Sequence, residues 1–138
     1  MPMRGRAAAA GLALILAGCS AGKDLAAAQQ AVTTFHQQMN AAAFDAIYDA
    51  SSADWQKATA RAASAQFLGA VHTKLGNFVS GNTVGWAENV NTNGTFMTLN
   101  YQSKYAGGDA AEHFLYRIDG GKLQLVGYNI NSNALILK

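Results

Sequence analysis

Glu112, the three histidines His36, His72 and His113, and the lone thiol of Cys19 are the side chains of this sequence that could do more than pack. Glu112 leads among the carboxylates. The alternation of Ala111–Ile118 puts it on the same side as Phe114 and Tyr116, at the strand end away from Gly120-Gly121. A carboxyl taken out of water there has a raised pKa and suits proton abstraction. Trp86, Tyr101, Tyr116 and Asn129 are the residues expected to surround it as a pocket. The plainer expectation is that Glu112 pairs with a Lys or Arg or reaches water at the sheet rim. His36 lies beside an apolar helical stripe, His72 near a helix end, and His113 alternates onto the opposite face of its strand. No His-x-x-x-His spacing occurs and there is one Cys, so no metal site is expected. Nor is a cofactor: Gly107-Gly108 and Gly120-Gly121 read as turns between strands rather than as a phosphate cradle opening a helix, and no G-x-S-x-G is present.

These side chains need elements to hold them. Leu25, Ala28, Val32, Phe35 and Met39 recur at three- and four-residue steps, which predicts a first helix with Asp24 as its N-cap. A short second helix spans 42–50, with Phe44, Ile47 and Tyr48 inward. A third, capped by Ser51 or Ser52, runs through Trp55 to Leu75 and stops at Gly76. From there Ala gives way to Gly, Asn, Thr and aromatics, and four strands are predicted at 78–90, 95–105, 111–118 and 122–130. A turn at Asn91–Gly94 pairs Glu88 with Met97, Trp86 with Leu99 and Val84 with Tyr101. A Gly120-Gly121 turn pairs Ile118 with Leu123, Tyr116 with Leu125, Phe114 with Gly127 and Glu112 with Asn129. On that register His113, Leu115, Val126, Tyr128 and Ile130 fall on the reverse face, as a candidate interaction surface. The fold class is α+β: N-terminal helices packed on the concave side of a curved four-stranded antiparallel sheet.

The first residues read as an address. Arg4 and Arg6 give a basic start, residues 7–17 are an uncharged run too short to span a bilayer, and Leu16-Ala17-Gly18-Cys19 follows. That tetrapeptide resembles the lipobox of bacterial lipoproteins. The resemblance implies a signal peptide at 1–18, cleavage before Cys19, a diacylglyceryl group on its sulfur, a short tether at 19–24 and a domain at 25–138. Ser20, in place of an Asp, implies attachment at the outer membrane facing the periplasm. Arg4 and Arg6 would leave with the signal, balancing the remaining Lys and Arg against the eight acidic residues. Nucleic acid is therefore not an expected partner.

The order of three helices and four strands is similar to the cystatin-like superfamily, which includes nuclear transport factor 2. More narrowly, Phe67-Leu68-x-x-x-His72-x-Lys74-Leu75-Gly76 and Leu125-x-Gly127-Tyr128-x-Ile130-x-Ser132 resemble small bacterial lipoproteins grouped as a domain of unknown function. The resemblance implies a fold and a cell-envelope location but no reaction, since the superfamily hosts isomerases, dehydratases and binding modules alike.

Half of the residues are apolar and 13% are charged, which excludes a disordered chain. Three functions follow in order. The first is a lipid-anchored, non-enzymatic module that binds an envelope protein or its own copy. The second is a pocket for a small apolar ligand. The third is an isomerase- or dehydratase-like enzyme using Glu112 as base.

Overall fold

Ala28, Val32, Phe35 and Met39 form one buried face of the first helix, and the sheet supplies the other wall of the core. The computed structural model describes the backbone of residues 4–137 and the side chains of residues 22–137. The lipobox side chains, Cys19 included, lie outside the described side chains.

Helix α1 spans Arg4–Asn40 without interruption, so Asp24 sits inside it rather than at its start. Among the described residues no helix is long and apolar enough to cross a membrane. Helix α2 (Phe44–Asp49) buries Ile47 and Tyr48. The single third helix expected from sequence is two, α3 (Ala53–Ala58) and α4 (Arg61–Leu75), separated by Thr59 and Ala60 in extended conformation. The break is matched by a contact from the preceding helix. The Tyr48 hydroxyl lies 3.1 Å from the Gln56 carbonyl and 2.9 Å from the Thr59 carbonyl, acceptors that a continuous helix would use. Ser52 caps α3 by accepting from the Trp55 N–H at 3.1 Å.

The sheet is a meander, β1 (Phe78–Asn91), β2 (Gly94–Tyr105), β3 (Gly108–Asp119) and β4 (Lys122–Asn131), antiparallel throughout and in sequence order. A short helix α5 (Asn133–Leu137) follows. Gly120 and Gly121 both have positive φ, 56° and 80°, as a two-residue hairpin turn with the twist of the strands requires. Gly81 is needed for another reason: a Cβ there would lie 2.5 Å from the Tyr101 ring and 2.7 Å from the Gln102 carbonyl. The fold is α+β, with the helices packed on one side of a curved, open sheet.

The register agrees with expectation near both turns and departs beyond them. Glu88 pairs with Met97 and Trp86 with Leu99, but a bulge leaves Val84 without a partner, and Thr83 takes its place opposite Tyr101. A second irregularity leaves out Val79. In the other hairpin Ile118 pairs with Leu123 and Tyr116 with Leu125. Leu115 then pairs with Gly127, so Val126 is the extra residue. Past it the parity of β4 inverts. Phe114 faces Tyr128, not Gly127, and Glu112 faces Ile130, not Asn129. At the β4 edge the α2–α3 connection adds a parallel bridge from Ser51 to Leu125 and a bond from the Ser52 N–H to the Leu125 carbonyl at 2.9 Å.

Candidate functional site

The Val126 bulge builds the polar centre of the molecule. Because it turns Tyr128 to the helix side, that phenol joins His36 of α1, Ser103 and Tyr105 of β2, and Glu112 of β3 around one carboxylate. Glu112 Oε1 accepts from His36 Nε2 at 2.8 Å and from the Ser103 hydroxyl. Oε2 accepts from Tyr105 at 2.8 Å and from Tyr128. The Glu112 side chain is 0% exposed and that of His36 3%.

An aromatic box closes around this pair. The His36 ring stacks on Phe78, centroids 3.7 Å apart and planes 3° from parallel. Phe35, Tyr101, Tyr105 and Phe114 approach the imidazole edge-on or tilted. Burial alone pushes the Glu112 carboxyl up. The hydrogen bond and charge of His36, with the Ser103 and Tyr128 hydroxyls, outweigh it and hold the carboxyl below its ordinary range. Burial, reinforced by the Glu112 charge, raises the Tyr105 and Tyr128 phenols, so both remain donors. The chemistry this allows is narrow. The carboxylate is ionised, its four acceptor sites have four donors, and no solvent or substrate reaches it. The raised pKa expected for a general base is replaced by a lowered one, and a cationic side chain or water by His36 and three hydroxyls.

The residues expected to form one pocket lie in three places. Tyr101 packs against the box beside Glu112. Tyr116 is buried toward the other end of the core, where Ala31, Phe35, Ile47 and Leu123 help line a cleft of about 240 Å³. Trp86 is 47% exposed on the edge strand β1. Asn129 stands on the opposite face, opposite His113. That face is uncovered and holds a larger depression of about 460 Å³. Asn100, Gln102, His113, Asn129 and Asn131 line it, with Val84 and Ala111. Tyr101, Glu112 and Ile130 also border it from within the sheet. His113 Nδ1 is 2.7 Å from Asn100 Oδ1.

The expected apolar interaction surface is likewise divided. His113 and Leu115 are on the reverse face and Val126 is the bulge residue. Tyr128 and Ile130 turn to the helix side, where both pack against the core. The reverse face thus carries amide side chains among apolar ones rather than a continuous apolar patch.

Ser103 and Tyr105 are site residues that the sequence reading missed, His36 was singled out but not as the partner of Glu112, and Tyr128 was placed on the wrong face. One signal was available. The apolar positions of β4 switch from odd (Leu123, Leu125) to even (Tyr128, Ile130), with Asn129 and Asn131 taking the odd ones, as an inserted residue produces. Nothing local marks His36 as the partner of Glu112. Among the described residues no group of three or more His, Cys, Asp or Glu is placed to hold a metal ion. No protein-family model matches the chain, and no curated protein matches it with significance.

Proposed function

We propose that the protein is a lipid-anchored, non-enzymatic binding module of the cell envelope. Cys19 carries the lipid at the outer membrane, and the uncovered face of the sheet takes a partner protein on the periplasmic side. The Leu16–Cys19 tetrapeptide supports the anchor. The saturated, sealed Glu112 supports a chemically quiet interior. The observation that carries the binding role is the depression of about 460 Å³ on the helix-free face, where the amides of Asn100, Gln102, Asn129 and Asn131 stand among the apolar side chains of Val84 and Ala111. Such a lining suits a protein surface that mixes apolar and hydrogen-bonding groups, on another envelope protein or on a second copy. A photo-crosslinking residue at Gln102 in intact cells should capture that partner, and the same residue at the helix-side position Lys57 should not. Equal capture from both positions would refute the assignment of the face. Mass spectrometry of the native product tests the anchor: a free thiol at Cys19 would refute it.

One observation favours a second reading, a site for a small, largely apolar ligand. The Tyr116 residue is 4% exposed and lines the cleft of about 240 Å³, and among the hydrogen bonds of the described residues none involves its hydroxyl. A ligand bearing one acceptor would satisfy it. Tyr116→Phe should then weaken binding of such a ligand without lowering stability.

A further inference from the structure

We propose that the domain docks on the bilayer that carries its anchor, through the end formed by the Asn91–Gly94 and Gly120–Lys122 turns, with Val90 at the headgroup level and Trp86 next above it on the same face. This rests on the lipid-anchor reading of Cys19, and it commits to a lipid surface as the occupant.

Helix α1 fixes the geometry. It is tied along β1 by hydrogen bonds at two levels and approaches it at a third. Asn40 bonds both main-chain groups of Phe78, at 2.8 Å and 3.2 Å. Gln29 reaches the Thr83 hydroxyl at 3.4 Å. Asp24 lies against Glu88, whose carboxyl is raised by burial and by the charge and hydrogen bond of Asp24. The helix therefore runs antiparallel to β1 and leaves the sheet where β1 turns into β2. From Asp24 back to Cys19 the helical backbone rises about 7.5 Å. From Glu88 on to Asn91 the strand advances about 10 Å. The attachment point and the first turn thus reach the same level, and the meander puts the β3–β4 turn beside it. Because α1 is continuous from position 19 into the core, the body cannot swing freely about its anchor.

The side chains at this end suit an interface. Trp86 (47% exposed) and Val90 (70%) stand on the helix side of β1, flanking Glu88. An indole with one apolar body and one N–H suits the outer margin of the headgroup region, where apolar contact and water meet. Lys23 and Lys122 are exposed at the same end, but Asp24, Glu88 and Asp119 offset them, so the apolar side chains rather than net charge would supply the attraction. Ile136 and Leu137, also exposed, follow β4 at the far end, about 30 Å away, and serve as the contrast.

The test uses the full lipidated chain in phosphatidylethanolamine–phosphatidylglycerol vesicles containing a headgroup nitroxide. With Trp55→Phe, Trp86 is the only tryptophan. A second variant, Trp55→Phe with Trp86→Phe and Ile136→Trp, reports the opposite end. The expected result is several-fold stronger quenching of Trp86 than of the tryptophan at 136. Equal quenching, with the protein still floating with the vesicles, overturns the docking and leaves the anchor intact. A chain without acyl mass on Cys19 that does not float overturns both. If a variant fails to fold, hydrogen exchange on the unmutated lipidated protein replaces it. Amides at 90–94 and 120–122 should exchange more slowly on vesicles than in detergent, and unchanged rates overturn the proposal.

Discussion

His36 and Glu112, 76 positions apart in sequence, meet at 2.8 Å with almost no exposure, and their contact pins α1 to the centre of the sheet. Removing one member leaves the other buried without its partner, at a cost of about 3–5 kcal/mol. His36→Leu and Glu112→Leu should each lower stability by that order in urea unfolding. The double variant should be less destabilised than their sum, by about 1–3 kcal/mol of coupling. Strict additivity would show that the pair is not a unit.

The Glu112 carboxyl is held below its ordinary value of 4.5, so the stability it contributes is fully present above that value. It is lost as the pH falls from 4.5 through the lower folded-state pKa. Unfolding free energy measured from pH 7 downward should therefore decline below about pH 4.5. Glu112→Gln, less stable at neutral pH, should show a shallower decline; an equal slope in both proteins would assign the acid sensitivity elsewhere.

Tyr128 reaches Glu112 only because Val126 is bulged out. Tyr128→Phe keeps the ring against Phe35 and Phe114 and removes one donor. The expected loss is about 1–3 kcal/mol, read as a lower thermal midpoint with unchanged near-ultraviolet circular dichroism. A variant as stable as the parent would mean that the phenol does not help hold the charge.

Gly81→Ala places a methyl group against the Tyr101 ring and the Gln102 carbonyl. The backbone must yield, since one of the two obstacles is main chain, and destabilisation of about 1–3 kcal/mol or more is expected in thermal melts. Gly120→Ala, with open space around its Cβ but φ +56°, should cost less.

What the sequence disclosed and what it withheld divide along physical lines. The stripe from Ala28 to Met39 and the pairings nearest the two turns follow from periodicity and turn chemistry, and they are legible. Each turn fixes its register only as far as the first bulge. A single extra residue at Val84 or Val126 changes every assignment beyond it, while a strict alternation rule carries the error forward. The break at Thr59–Ala60 depends on a hydroxyl from another helix, and the role of His36 on a carboxylate two layers of structure later. Neither is written in local sequence, because each arises from a contact made only once the chain has folded.

The two borders of the sheet are unequal. Ser51 and Ser52 occupy β4 at Leu125, whereas β1 is interrupted by its irregularities at Val79 and Val84 and has the main chain of Phe78 taken by the Asn40 side chain. An incoming strand would meet an obstacle on either border, at Leu125 on β4 and at Phe78 on β1. Only short lengths of ladder are left for such pairing, which works against chain-to-chain growth by strand addition.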